Sequence, residues 1–241
     1  MAVKRVDYSK IDFSIDSGGG DSKDPEEITY ADIEKVLEKK DIIKDFQILM
    51  MKYECALSEV RTKLDVLNKE LSLRNNRNPF EAIKMRIKTP MSIYNKLKHK
   101  GAEFDLDNIR EEISDIAGIR VICSFVDDIY MLADCLAKQD DIKVLVRKDY
   151  IKKPKASGYR SLHLIIEIPI FLTQEKEYMK VEVQFRTIAM DFWASLEHKM
   201  KYKKNIKNQS VISEDLKFSA DLINQLDLRM QQIRCKIDDE E

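Results

Sequence analysis

Glycine is scarce in this chain. Six occur in 241 residues, and three of them, Gly18 to Gly20, sit together in a polar leader. The remaining Gly101, Gly118 and Gly158 are too far apart to build a P-loop or a G-x-G-x-x-G turn. Any nucleotide phosphate bound here must therefore be gripped by cationic side chains. Long apolar runs are missing as well. The longest, Leu164 to Leu172, is interrupted by Glu167 and Pro169 and falls well short of the roughly 20 residues a bilayer crossing needs. Residues Met1 to Lys10 lack the apolar stretch of a secretory signal, so the sequence reads as cytoplasmic, with no membrane partner. Four cysteines, Cys55, Cys123, Cys135 and Cys235, have no C-x-x-C spacing, and the three histidines lie far apart. That pattern disfavours a zinc site and reads as reduced core thiols. Charge of one sign is absent too: 42 Lys+Arg against 43 Asp+Glu leave a net of −1. Affinity for polyanions has to come from local clustering.

An apolar share of 44% supports a real core, and 35% charged residues indicate a solvated, helix-rich surface around one domain. Residues 1–24 read as a flexible leader, 25–78 as an N-terminal helical segment, 79–204 as the core, and 205–241 as a C-terminal helix. Asp24 and Pro25 form a helix-start signal. Ile42, Phe46, Leu49, Tyr53, Leu57, Val60, Leu64, Leu67 and Leu71 recur in steps of three or four, the period of one long amphipathic helix. Strands are predicted over Ile83–Lys88, Ile116–Phe125, Ile142–Arg147, Tyr159–Ile168 and Tyr178–Arg186, the last two joined by a long connection over Pro169–Glu177. Helices are predicted from Thr89 to about Gly101, from about Asp127 to Ala137, and from Thr187 to about Tyr202. In the C-terminal segment Leu216, Ile223, Met230 and Ile237 repeat every seven residues, with Leu226 and Ile233 between them. This seam fits either helix association or packing onto the chain's own helices.

Between Lys84 and Lys100 stand Lys84, Arg86, Lys88, Lys96, Lys98, His99 and Lys100, without one acid. That is a local positive field suited to a polyphosphate, although a charge run can equally be a solvated face. Arg147, Lys148, Lys152, Lys153 and Lys155 form a second cluster. Alternation along a strand puts Tyr159, Ser161 and His163 on one face, away from Leu162 and Leu164. It also sets Lys180, Glu182, Gln184 and Arg186 opposite Val181, Val183 and Phe185. Asp115, at the entrance to an apolar strand, is a candidate Mg²⁺ ligand or a helix-terminating aspartate. Arg120 inside that strand needs a carboxylate, a phosphate or an aromatic partner.

Seven motifs then occur in a particular order. They are Arg86-Ile87-Lys88-Thr89-Pro90, Ser92-Ile93-Tyr94-Asn95-Lys96-Leu97-Lys98, Asp115-Ile116-Ala117-Gly118-Ile119-Arg120, Asp149-Tyr150-Ile151, Ser157-Gly158-Tyr159-Arg160-Ser161-Leu162-His163, Glu182-Val183-Gln184-Phe185-Arg186-Thr187 and Trp193-Ala194-Ser195-Leu196-Glu197-His198. As an ordered set spanning about residues 80 to 202, they resemble the small, single-domain members of the RelA/SpoT-type alarmone synthetases. The resemblance implies an α+β fold: a nucleotidyltransferase-like mixed sheet flanked by helices, with long N-terminal and C-terminal helices. It implies transfer of the β,γ-pyrophosphate of ATP to the ribose 3′-oxygen of GDP or GTP, with Mg²⁺ as cofactor and a homotetramer as the assembly.

By motif position, the resemblance makes Asp115 the Mg²⁺ ligand and Glu182 the carboxylate that activates the acceptor hydroxyl and also touches the metal. Arg86 and Arg120 become the guanidinium pair around adenine, and Lys88, Lys96 and Lys98 the holders of ATP phosphates. Tyr159 is the guanine-stacking aromatic. His163 and the Lys152, Lys153 and Lys155 loop meet acceptor phosphates, Ser161 belongs to the same subsite, and Gln184 positions the acceptor. Arg186, Glu197 and His198 support these groups from behind. No His-Asp dipeptide of a metal-dependent hydrolase occurs, so synthesis without hydrolysis is expected. A catalytically silent RNA- or nucleotide-binding module would explain the basic clusters and the tyrosine. It would not explain Asp115 together with Glu182, because phosphate binding gains nothing from added carboxylates.

Overall fold

The computed structural model describes residues 40–74, 78–201 and 209–239. The leader and the Asp24–Pro25 helix start lie outside the described residues. Helix α1 spans Lys40–Arg74, and the apolar stripe read from the sequence is its buried face: Leu49, Tyr53, Val60 and Leu64 are all at most 2% exposed. Strand β1, Phe80–Ile87, leads into α2, Pro90–Lys100. This helix starts where Thr89 Oγ1 accepts the Ser92 amide and Pro90 fills the first turn. It stops at Gly101, whose φ of 72° is a left-handed cap. There follow α3 (Leu106–Glu112), β2 (Ala117–Cys123), α4 (Val126–Ala137), β3 (Lys143–Asp149), β4 (Leu162–Phe171), β5 (Lys176–Thr187), α5 (Ile188–Lys201) and α6 (Gln209–Asp238).

The five strands form one mixed sheet in the order β1-β2-β5-β4-β3. Only the β2–β5 pair is parallel. One alternating set of side chains packs under α1 and α4 in a single core: Ala117, Ile119, Val121 and Cys123 from β2, Val181, Val183 and Phe185 from β5, Leu162, Leu164 and Ile166 from β4. Period-two patterning then forces the other set of β1, β2 and β5 side chains onto the opposite face. That face carries the polar residues, and α5 and α6 cover part of it.

Two expectations change. The β4–β5 connection is short, because Ile168, Pro169, Ile170 and Phe171 continue the strand opposite Met179, Tyr178, Glu177 and Lys176. Proline is tolerated there because β3 pairs with β4 only as far as Glu167, so no neighbour needs the missing amide of Pro169. The cysteines also do not share one environment. Cys123 is buried, and burial pushes its thiol well above the usual range, whereas Cys235 is exposed on α6. All four are free thiols.

Candidate active site

Strand register assembles the polar face in rows. Arg86 on β1, Gly118 on β2 and Glu182 on β5 lie side by side, and one pleat further on so do Lys84, Arg120, Gln184, His163 and Lys148. A shallow cleft opens over the first strands, lined by Lys84, Met85, Arg86, Gly118, Ile119, Arg120 and Gln184. Glycine at 118 matters for its shape. A Cβ there would stand 3.3 Å from Arg86 Nε and 3.4 Å from Arg86 Cγ, so the missing side chain lets Arg86 lie close against β2.

Asp115 sits between α3 and β2 and accepts from Lys88 Nζ at 2.9 Å and from Lys96 Nζ at 2.7 Å. Burial would raise its pKa, but the charges and hydrogen bonds of the two lysines outweigh it and hold the carboxyl at about 2. Lys88 is itself only 9% exposed, and burial lowers its pKa against the pull of Asp115. The negative charge of Asp115 is also felt at Glu182, where it opposes ionisation; the two acids share this face. Lys98 does not join Lys96. Residues two apart on a helix point in divergent directions, and Lys98 is exposed on α2.

On the other side of Glu182 lies a chain of hydrogen bonds. Arg186 Nη2 donates to Tyr159 Oη at 2.7 Å, and Tyr159 Oη meets His163 Nε2 at 2.9 Å. His163 Nδ1 meets Glu182 Oε1 at 3.1 Å. Because Arg186 occupies the phenol oxygen as a donor, the tyrosine proton points to Nε2, and the imidazole hydrogen on Nδ1 faces Glu182. Burial lowers the His163 pKa, so the ring is neutral at neutral pH. Gln184 Nε2 donates to Glu182 Oε2 at 2.9 Å, while its Oε1 accepts from Arg186. These bonds outweigh burial and keep Glu182 ionised. Tyr159 is thus flanked by cations, with Arg186 5.0 Å and Lys155 4.9 Å from its ring centroid. Lys152 lies over Tyr130. The loop carrying these lysines is pinned by Asp149, which accepts from the amides of Ile151 and Lys152 and from Tyr130 Oη.

Several expected residues stand elsewhere. Ser161 is fully buried and donates to the Phe185 carbonyl at 3.0 Å, stitching the segment before β4 to β5; it does not share the face of Tyr159. Lys153 is exposed in its loop. Glu197 contributes a negative charge near Lys155, and His198 is half-buried on α5. Arg186, expected in a supporting role, is 1% exposed and ties the whole network together. Sequence reasoning missed Asp191. This buried acid in the first turn of α5 accepts from Lys84 at 3.0 Å, Arg120 at 3.1 Å and Arg186 at 3.1 Å. It is the carboxylate that Arg120 required. The signal was Arg120 itself, but α5 follows β2 by so many residues that only the tertiary fold identifies the partner.

This face therefore presents a guanidinium-lined cleft on one side of an ionised glutamate and a cluster of aromatic and lysine side chains on the other. Known proteins place the chain in a family. Residues 85–207 match the model described as the region found in RelA / SpoT proteins. The chain is 44% identical over 199 residues to the GTP pyrophosphokinase YwaC of Bacillus subtilis (strain 168), covering 83% of this chain and 95% of that one. The crystal structure of small alarmone synthetase 2 from Bacillus subtilis, 44% identical, superimposes with a TM-score of 0.71 over 80% of this chain and 99% of that one. Small alarmone synthetase 1 from the same organism, bound to its product pppGpp, is 32% identical with a TM-score of 0.73 over 80% and 98% of the two chains. The chain belongs to the RelA/SpoT family.

Proposed function

We infer that this chain is an alarmone synthetase. The 3′-oxygen of GDP or GTP attacks the β-phosphorus of ATP, the bond from that phosphorus to the α–β bridging oxygen breaks, and AMP leaves. The β,γ-pyrophosphate becomes the 3′-substituent of ppGpp or pppGpp. The observation that carries this reading is the place of Glu182 on the central strand β5, between the Arg86–Gly118–Arg120 cleft and the hydrogen-bonded Tyr159–His163 pair. A base placed there meets an acceptor on one side and a donor on the other.

Phosphoryl chemistry of this kind is mainly alignment and charge neutralisation. Adenine fits between the guanidinium groups of Arg86 and Arg120, which stack on a purine in a way a lysine ammonium cannot. Lys88 and Lys96 turn from Asp115 to the donor phosphates, and guanine stacks on Tyr159. Lys152 and Lys155 meet the acceptor phosphates, and Gln184 holds both the acceptor and Glu182. His163 orients Glu182 through Nδ1, so that its carboxylate faces the 3′-hydroxyl and takes the proton as the new bond forms.

Asp115 and Glu182 are both ionised and the charge of Asp115 reaches Glu182; such a pair of carboxylates would suit Mg²⁺, which prefers one or two carboxylates and completes its shell with phosphate oxygens and water. Bound there, the ion would neutralise charge on the transferring group. No helix among the described residues is long and apolar enough to cross a membrane, and we place the reaction in the cytoplasm, where ATP and GTP are abundant. The C-terminal helix serves assembly into a homotetramer.

The test is turnover with ATP, Mg²⁺ and each guanine nucleotide, resolving all products. AMP must appear in proportion to acceptor, and Glu182→Gln must lose about 10²–10⁴-fold in rate, the usual contribution of a positioned base. Near-normal synthesis by that variant removes Glu182 from this role, and free pyrophosphate in place of AMP rejects the reaction.

A further inference from the structure

Helix α6 meets the Tyr159 side of the site through one short segment. Gly158, with φ of +89°, lies against it so closely that a Cβ would stand 2.6 Å from Ala220 Cβ. Arg160 then ties the contact: Nη1 donates to the carbonyls of Gly158 at 3.1 Å and Ala220 at 3.3 Å, and Nη2 donates to Asp221 at 3.0 Å. Trp193 Nε1 donates to the Leu216 carbonyl at 3.0 Å, linking α5 to the same helix. Trp193, Ala194 and Ala220 form a small cluster of their own, separate from the main core, and Tyr159 packs against it. Arg160 belongs to one of the seven motifs, yet no part of the transfer chemistry uses it.

The residue between Gly158 and Arg160 is Tyr159. Its hydroxyl stands in the chain from Arg186 to Glu182, and its ring is the stacking surface. We propose that Arg160 is a positioning residue for the acceptor nucleotide: by locking Ala220 and Asp221 of α6 onto the Gly158–Arg160 segment, it holds the Tyr159 ring at the height from which His163 and Glu182 are reached. The consequence is directional. Loosening the lock disturbs the guanine side of the site first, since the lock's hydrogen bonds run among Gly158, Arg160, Ala220 and Asp221, whereas the Arg86–Arg120 cleft is lined from β1, β2 and Gln184 of β5. This rests on the reading of Tyr159 as the acceptor's stacking partner.

The full-length chain tests it without relying on activity alone. It has a single tryptophan, Trp193, placed at the α5–α6 contact, so its emission reports whether α6 stays docked. Arg160→Ala is expected to raise KM for GDP and weaken GDP binding by calorimetry about tenfold, the scale of losing a charged hydrogen-bonded contact. KM for ATP should stay within about twofold, and Trp193 emission should shift to the red. Asp221→Ala removes only the half-exposed partner, so it leaves folding secure and should move the same parameters in the same direction by a smaller factor. In the double variant the two effects should fall short of additivity. Equal rises in both KM values, or GDP binding unchanged in Asp221→Ala and Arg160→Ala alike, overturns the proposal. Wild-type product analysis judges the transfer reaction separately, because GDP binding and Trp193 emission are read without turnover.

Discussion

His163 shows how one residue's surroundings set its chemistry. Burial lowers its pKa, so between the folded value and the unfolded value near 6.5 the unfolded chain binds the proton and the native chain does not. Stability from this residue is thus complete above about pH 6.5 and declines as pH falls through that window. Protonation would also place a hydrogen on Nε2, the atom that accepts from Tyr159, and break the line to Glu182. The expected outcome is a synthesis rate that falls on the acid side as His163 charges. A His163→Gln variant should have a urea midpoint with a shallower slope than wild type between about pH 5 and 7. Identical slopes would mean that His163 stays uncharged, or charges equally, in both states. Asp115 has the same sign in a lower pH range. Its pKa of about 2 means it remains an anion throughout this range, and the stability it brings is lost only as pH falls from near 4 toward 2.

Asp227 raises the corresponding question at the scale of elements. It reaches from α6 to Thr187, whose Oγ1 donates to it while accepting the Met190 amide and so starting α5. Three elements therefore meet at one carboxyl that is only 7% exposed. Burial raises its pKa, and the Thr187 hydrogen bond offsets this only in part. The native state thus holds the proton more tightly than the unfolded chain, and stability falls as pH rises through the interval between the two pKa values. Asp227→Asn keeps an acceptor for Thr187 and removes the charge. Its Tm at neutral pH should rise, by about 2–4 °C for each kcal/mol regained in a chain of this size, and the gain should vanish below about pH 4. A lower Tm at neutral pH would show that the charge is used. The elements themselves were largely readable. The period of α1, the Thr89–Pro90 start and Gly101 stop of α2, and the apolar β2 each follow from local rules, and each appears where they place it. The end of β4 was misread because proline usually breaks a strand, and whether β3 continues alongside Pro169 is a matter of sheet topology.

For the whole molecule the open surface is α6. Phe218, Leu222, Leu226, Ile233 and Ile237 are all more than 40% exposed along it, an apolar stripe unusual on a solvated helix. The heptad divides along its length: Leu216 and Ile223 turn toward the Trp193 cluster, whereas Met230 and Ile237 face outward. Self-packing thus holds at the first end of the helix, and the outward stripe beyond it is the surface the proposed association would use. If the outer stripe holds the proposed tetramer together, Leu226→Asp combined with Ile233→Asp should lower the mass measured by sedimentation while leaving the circular dichroism unchanged. A wild-type chain that sediments as a monomer would refute the assembly.

By itself the sequence determined most of the elements, though neither the short helix α3 nor the end of β4, together with the two basic clusters, the absence of a glycine-rich phosphate loop, and the candidate acids Asp115 and Glu182, because these depend on residue type and spacing along a few turns or strands. It could not show that Asp191 holds Lys84, Arg120 and Arg186 together, that Ser161 turns inward, or that Arg160 fastens α6 beside Tyr159. Those facts join residues up to 107 positions apart. They are decided by which strands become neighbours and which helix closes over them, and no local pattern records that choice.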